Sequence, residues 1–238
     1  MKVAVLVSGG VDSSVALKLL KDSGHDLTAF YIKIWLEDEL SFLGSCPWED
    51  DLKYASNVCK QLDVPLEVVC LQKEYRQEIV EYTITEVKAG RTPSPDLMCN
   101  KNIKFGCFYS QVGKDFDKIA TGHYARLTMN NGVLSLKKAV DKFKDQTYFL
   151  SRLDQEQISR ILFPIGDLKK DEVRTLAGQH NLATMNRKDS QGICFLGKIR
   201  FSDFLKFHLG TKPGLLVNFE TGQNVGQHDG FWYYTIGQ

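Results

Sequence analysis

No window of the 238-residue sequence reaches about 18 consecutive apolar residues, so no transmembrane helix and no membrane partner are expected. Cysteine is sparse and scattered. The six, at 46, 59, 70, 99, 107 and 194, form no Cys-x-x-Cys pair and no Cys/His cluster. This pattern suggests neither zinc nor a secreted disulfide framework, and a reducing compartment is expected. An excess of charge is missing too. Thirty Lys and Arg against 29 Asp and Glu leave +1, so any contact with nucleic acid has to come from local patches. Repeats and low-complexity tracts are absent. Met1 stands almost directly before the first core strand, which predicts a chain without signal or transit peptide. What is there, 43% hydrophobic and 25% charged residues, describes a soluble globular protein of one large domain, or one domain and part of another.

The stretch Val3-Ala4-Val5-Leu6-Val7-Ser8-Gly9-Gly10-Val11-Asp12-Ser13-Ser14 organises the rest of the chain. Its apolar opening, Val3 to Val7, is β-branched and short enough for a buried parallel strand. Ser8, two glycines and Asp12 follow, then a helical pattern carried by Val15, Leu17, Leu19 and Leu20. Strand, glycine turn and helix together create a site for anionic oxygens. Backbone N–H groups and the positive helix end attract them, and the Ser8, Ser13 and Ser14 hydroxyls add donors. Glycine lets the backbone take φ > 0 and approach a phosphate without a Cβ penalty. No Gly-Lys-Ser/Thr follows and no Gly-x-Gly-x-x-Gly is present here, so neither the Walker A nor the dinucleotide fingerprint applies. The competing reading, a turn that merely joins strand to helix, suits a lone Gly-Gly better. The stretch resembles the pyrophosphate loop of the N-type ATP pyrophosphatases, which bind ATP and release pyrophosphate while adenylating a substrate.

Along the chain, Asp26 to Trp35 reads as a second strand, with Tyr31, Ile32 and Lys33 at its end beside a nucleotide or, for Ile32, in the core. Asp51 to Leu62 has helical spacing, Leu66 to Cys70 is a third strand, and residues 73–89 are an amphipathic helix. This alternation predicts an α/β fold, a doubly wound parallel sheet with right-handed crossovers. In Gly90-Arg91-Thr92-Pro93-Ser94-Pro95-Asp96-Leu97-Met98-Cys99-Asn100 two prolines fix an extended loop, and Asn100 reads as the cap of the next helix. Asp96 and Cys99 are then expected at a helix start, where the thiol pKa is lowered, Asp96 serving as cap or as proton acceptor. Lys118 to Thr121 is a short strand entering Gly122-His123-Tyr124; His123 is either packed or near a ligand. Residues 123–128 and 133–140 form a hairpin around Asn130-Asn131-Gly132. The run Lys137, Lys138, Lys142, Lys144 binds phosphate or is a solvated face. Asp154 to Ile161, Lys169 to His180 and Phe201 to His208 are helical, and Pro213 to Gln238 reads as short antiparallel strands. Cys59, Cys70 and Cys107 fall among apolar residues and are expected to be buried and inert.

Five stretches together, Ser8-Gly9-Gly10-Val11-Asp12-Ser13-Ser14, Gly90 to Asn100, Thr121-Gly122-His123-Tyr124, Lys144-Asp145-Gln146-Thr147-Tyr148-Phe149-Leu150 and Asp189-Ser190-Gln191-Gly192-Ile193-Cys194-Phe195, resemble the tRNA-specific 2-thiouridylases. The resemblance implies a fold of the adenine-nucleotide alpha-hydrolase type over 1–198. It also implies the start of a small β domain over 199–238, the chain ending before a C-terminal barrel. It implies ATP and Mg²⁺ as cofactors and a tRNA with a wobble uridine as partner. A persulfide donor, a cysteine desulfurase or sulfur-relay protein, is the second partner. Leu6, Val7, Ser8, Gly9, Gly10, Val11, Asp12, Ser13, Ile32 and Gly122 would bind the nucleotide. Ser94, Pro95, Asp96, His123, Lys144, Asp145 and Gln146 would bind tRNA, and Cys99, Cys194 and Asp96 would act in catalysis. Ser94 departs from the family, which usually carries Asn there. The Trp35 to Leu52 region looks more like plant and algal members, so a cytoplasmic, mitochondrial or chloroplast home is expected.

Overall fold

The computed structural model describes residues 1–34, 48–189 and 200–234. In chain order the first elements are β1 (Lys2–Leu6), α1 (Val11–Asp22), β2 (Asp26–Lys33), α2 (Trp48–Gln61) and β3 (Leu66–Cys70). Two long helical stretches follow, α3 (72–88) and α4 (95–111), and then β4 (Lys118–Thr121). Next come β5 (Ala125–Asn130), β6 (Val133–Lys138), α5 (Gln155–Ser159), β7 (Ile161–Leu162) and α6 (Lys170–Gln179). Then α7 (Phe201–Leu209) precedes a small antiparallel hairpin, β8 (Gly214–Val217) and β9 (Asn224–His228). Among the described residues no helix is long and apolar enough to cross a membrane.

Five strands form one parallel sheet in the order β3-β2-β1-β4-β7. Val3, Ala4 and Val5 of the central strand are wholly buried because both faces are covered. Ala4 and Leu6 point into a core with Phe30, Tyr75, Ile103 and Phe108, whereas Val3, Val5 and Val7 pack on the opposite face with Leu17, Leu20, Ala55 and Val58. The uninterrupted apolar run is the signature of a strand buried on both sides. On its outer side α1 packs Val11, Val15 and Ala16 against Val173 and Ala177 of α6.

The chain leaves β1 toward β2 and β3, then returns through α3 and α4 to place β4 on the other side of β1. Leu6 is in register with both Phe30 and Thr121, so the carboxyl ends of β2, β1 and β4 lie level. In an open parallel sheet this reversal leaves a crevice at the strand ends.

Three expectations need correcting. The helical spacing of Asp154 to Ile161 holds only over Gln155–Ser159, and Ile161–Leu162 is a fifth strand paired with Ile119 and Ala120. Asn100 is not a cap: the helix begins at Pro95, with Ser94 at the N-cap, and Asn100 lies inside it. Proline at the first helical position explains this, since its missing N–H is one the helix start cannot use. Cys70 is exposed and Cys107 half-buried, because Cys70 ends the edge strand β3. Cys59 is buried as expected, and burial pushes its thiol up to about 11. The 130–132 turn is of the mirror-image type expected of a tight hairpin, with Asn131 at φ 49° and Gly132 at φ 80°.

Candidate active site

A cavity of about 390 Å³ occupies the crevice at the ends of β1, β2 and β4. One wall is the loop after β1, from Leu6 to Ser13 without Gly9. Gly9 turns the loop at φ +74°, and a Cβ there would lie 2.3 Å from the Asp51 carbonyl oxygen, so only glycine fits between the loop and α2. The Ser8 N–H donates to Ser13 Oγ at 3.2 Å, while the Ser13 and Ser14 hydroxyls donate to the Gly10 carbonyl at 3.1 and 2.8 Å. Ser14 is buried and its hydroxyl is directed inward, so it adds no donor to the cavity, contrary to the sequence expectation. The first-turn N–H groups of α1, which have no acceptor within their own helix, belong to Val11, Asp12 and Ser13, all of which line the cavity.

The second wall is apolar, with Phe30, Ile32, Ile34, Trp48 and Ile103, and can take a flat ring. The Lys33 ammonium lies 3.9 Å from the centre of the Trp48 ring. Cys99 and Lys104 of α4 form part of the far side, with Gly122 and His123 after β4. Cys99 opens a stretch, Cys99–Cys107, wound with the wider π-type bonding that often marks functional positions. It sits in the second turn rather than at the helix start, so the dipole acts on it less than the sequence suggested. Asn100 fastens this stretch, donating to the carbonyls of Asp96 at 3.1 Å and Phe149 at 3.2 Å and accepting from Lys104 at 3.0 Å. His123 Nδ1 shares a hydrogen bond with Thr121 Oγ1 at 2.8 Å. Burial and then the Lys104 charge hold its pKa well below the usual 6.5, so the ring is neutral near pH 7.

At the end of the cavity beside the β1–α1 loop the charges interlock. Asp12 accepts from the Tyr124 hydroxyl at 2.8 Å and from both approaches of Lys170 Nζ at 2.8 and 2.9 Å. Burial and the Asp12 carboxylate push the Tyr124 phenol far up, so it remains a donor. Asp189 accepts from Lys144, Lys170 and Arg174 at 2.9, 2.8 and 2.6 Å. Burial alone would raise its carboxyl, but the bonds from Lys170 and Lys144 overcome this and hold it well below the usual range. Arg187 donates to the Gly9 carbonyl at 2.7 Å, pairs with Asp51, and stacks its guanidinium 4.6 Å from the Tyr54 ring centre.

Of the residues singled out by sequence, the cavity gathers the loop residues other than Gly9, with Ile32, Gly122, His123, Lys144, Gln146 and Cys99. It does not gather Ser94, Pro95 or Asp96. Asp145 is turned away and holds its loop together, accepting from the Ala139 N–H at 3.0 Å and the Thr147 hydroxyl at 2.8 Å. Gln146 lines the cavity while its side chain accepts from the Tyr124 N–H at 3.0 Å. Cys194 lies outside the described residues. Asp12 lines the cavity as an ion-paired group, with Lys170 as its partner. Sequence reasoning named Tyr124 only as part of a motif, without a role, and missed Lys170, Arg174 and Arg187. The only signal was a Lys-Lys pair at a helix start, and nothing in the sequence ties Lys170 to Asp12, 158 positions away.

Sheet order, loop position and crevice define an α/β protein of the adenine-nucleotide alpha-hydrolase type. Residues 1–198 match the family described as tRNA methyl transferase HUP domain, and 202–238 match the tRNA methyl transferase PRC-barrel domain. The chain belongs to this family. It is similar to a tRNA-specific 2-thiouridylase MnmA of Parabacteroides distasonis, with 51% identity over 238 residues, 100% of this chain and 66% of that protein. A protein of the same name from Porphyromonas gingivalis is 50% identical over the same shares. The chain therefore spans 66% of the length of these curated relatives. In shape it is similar to a solved predicted subunit of tRNA methyltransferase from Methanocaldococcus jannaschii, at 18% identity and a TM-score of 0.48, covering 75% of this chain and 74% of that one.

Proposed function

We propose that this chain is the catalytic part of a tRNA 2-thiouridylase, which adenylates the 2-position carbonyl of a wobble uridine and then replaces its oxygen with sulfur. One observation carries the reading: the anion-binding loop after β1 and the Cys99 thiol border the same cavity. Family and relatives carry different verbs, methyl transfer and thiolation, on the same object, tRNA. A cysteine facing a phosphate-binding loop favours sulfur.

ATP suits this cavity. The Gly9 turn and the α1 N-terminus are built for phosphate oxygens, and the apolar wall with Ile32 and Trp48 takes the adenine ring. Among the described residues no group of three His, Cys, Asp or Glu is placed to hold a metal, and Asp12 and Asp189 are engaged by cations. Mg²⁺ in this reading arrives on the nucleotide, with the phosphates as its main ligands, and offsets their charge.

The uridine O2 attacks the α-phosphorus of ATP, and the bond to the bridging oxygen breaks. Pyrophosphate leaves toward the loop donors, and AMP on O2 is now the leaving group. Neutral His123, across from Lys104, orients the base without adding charge beside the cations. Sulfur comes from a persulfide on Cys194, loaded by a desulfurase or sulfur-relay protein. The Cys99 thiolate attacks the inner sulfur, a disulfide forms between the cysteines, and the released hydrosulfide adds to C2 and expels AMP. A thiol reductant then restores both cysteines for the next cycle. Asp96, three residues before Cys99, is assigned proton transfer. Residues 94–96 and 144–146 are assigned to the tRNA, 1–198 to the catalytic domain and 199–238 to the start of a second one. Cytoplasm or an organelle matrix is the setting that keeps these thiols reduced.

The test joins two measurements on the full chain: pyrophosphate release from ATP on adding unmodified tRNA, and mass spectrometry of a sulfur adduct of about 32 Da after incubation with a desulfurase. Cys194→Ser should carry no adduct. Cys99→Ser should carry one and thiolate nothing. Normal thiolation by either variant ends the two-cysteine reading, and tRNA-independent pyrophosphate release ends the tRNA one.

A further inference from the structure

Asp189 is surrounded by more positive charge than one carboxylate calls for. Lys144 Nζ lies 2.9 Å from Oδ2, while Lys170 Nζ and Arg174 Nη2 lie 2.8 and 2.6 Å from Oδ1. Two of these cations are themselves held in place. Lys170 is braced on Asp12, and Arg174 uses its other nitrogen to donate to the carbonyls of Met185 and Arg187 at 3.2 and 2.6 Å. The Lys170 side chain is only 11% exposed, so its charge is poorly screened by water. The first turns of α1 and α6 meet at this point through the Asp12–Lys170 pair, and both bring their positive ends to it.

Fixed cations converging on a pair of oxygens beside helix N-termini are what proteins use to hold phosphate. The oxygens here belong to the protein. Asp189 lines the cavity, whereas Lys170 and Arg174 do not, so the carboxylate stands between the cavity and the two cations behind it. Asp12 pairs with Lys170, and Asp12 and Asp141 also lie close enough to act on Lys144, so Asp189 shares these cations with two further carboxylates and alone stands at the cavity face of all three.

We propose that Lys144, Lys170 and Arg174 form a pyrophosphate clamp and that Asp189 is an internal anion filling it until the β- and γ-phosphates of a nucleotide displace it. The inference rests on the nucleotide reading above and adds to the loop a second set of phosphate ligands, drawn from elements more than 130 positions further along. A single carboxylate charge yields to a polyphosphate because the latter brings more charge to the same donors. AMP has no phosphate to put there, so the clamp separates ATP and pyrophosphate from AMP.

The probes are ATP, inorganic pyrophosphate and AMP, titrated calorimetrically into the full chain and its variants, with a thermal melt to verify folding. Asp189→Asn removes the competing charge and keeps the shape. It should tighten ATP and pyrophosphate roughly tenfold, about the worth of one charge-assisted hydrogen bond no longer contested, and leave AMP unchanged. Lys170→Gln should weaken ATP and pyrophosphate by about tenfold or more with AMP unchanged, and Lys170→Arg should recover part of the loss. Folded Asp189→Asn that binds pyrophosphate more weakly or equally well overturns the proposal, since Asp189 would then organise the cations and not compete for them. A Lys170→Gln variant that loses AMP and ATP alike overturns it too. Wild-type protein that binds neither ATP nor pyrophosphate overturns the nucleotide reading itself, a result distinct from both.

Discussion

Gly122 is where a single methyl group should do the most harm. Built onto this glycine, a Cβ would sit 2.6 Å from the Ser13 nitrogen, 2.8 Å from the Asp12 carbonyl carbon and 2.9 Å from the Ser13 Cα. All three neighbours are backbone atoms of the first turn of α1, so no side chain can swing aside. Relief requires α1 to move away from the end of β4 by several tenths of an ångström or more. Such a shift opens the packing of Val11 and Val15 on one side and carries Asp12 away from Tyr124 and Lys170 on the other. Overpacking of this kind costs about 1–3 kcal/mol, and at about 2–4 °C per kcal/mol Gly122→Ala should lower Tm by roughly 2–12 °C. The same movement tilts the loop donors, so ATP binding should weaken by more than the loss of stability alone explains. Gly178 supplies the opposite case inside α6: its added Cβ meets nothing within 4 Å and its φ is not left-handed. Gly178→Ala should raise Tm, because alanine is favoured by about 0.5–1 kcal/mol in a helix interior. Differential scanning calorimetry and ATP titration on both variants make the comparison. A Gly122→Ala protein with unchanged Tm and unchanged ATP affinity would refute the claim that contact between α1 and the β4 end sets the loop.

Two further outcomes are expected. His123 has a folded pKa well below 6.5, so the unfolded chain binds the proton more tightly. Its contribution to stability is full above pH 6.5 and declines as pH falls below that value toward the folded pKa. Urea midpoints followed from pH 7.5 to 5 should fall with a steeper slope in the wild type than in His123→Gln; parallel slopes would mean the ring is not held neutral. Lys137, Lys138 and Lys142 are exposed, whereas Lys144 is tied to Asp189 inside the cavity, so only the first three form a fair test of an RNA-facing surface. Changing those three to Glu should weaken tRNA binding, reduce its salt slope by about two to three, and leave ATP affinity alone; an unchanged slope returns the run to a solvated face.

The parts of this protein legible in its sequence are those set by short-range physics. An apolar run of five followed by Ser-Gly-Gly announces a buried strand and an anion-binding turn, and Asn131-Gly132 announces its hairpin. β7 escaped notice because two residues, Ile161 and Leu162, show no period, and only pairing with β4 makes them a strand. Asn100 looked like a cap because the preceding prolines seemed to forbid helix, although proline at the first position permits it. The charges at the cavity were illegible for a different reason. Lys170, Arg174 and Arg187 are ordinary surface residues until α6 packs on α1, and their partners are fixed by tertiary contact alone.

The central position of β1 also has a consequence for how the chain is made. This strand is synthesised before all its partners, yet its second neighbour is β4, and the contact between Lys2 and Asp117 at that seam spans 115 positions. At about 5–20 residues per second, the ribosome leaves one edge of Val3-Ala4-Val5-Leu6-Val7 unpaired for many seconds. An apolar open edge is a template for pairing with another nascent chain. Substitutions that slow the arrival or docking of residues 118–121 therefore lower the yield of soluble protein, even where they leave every side chain of the cavity in place.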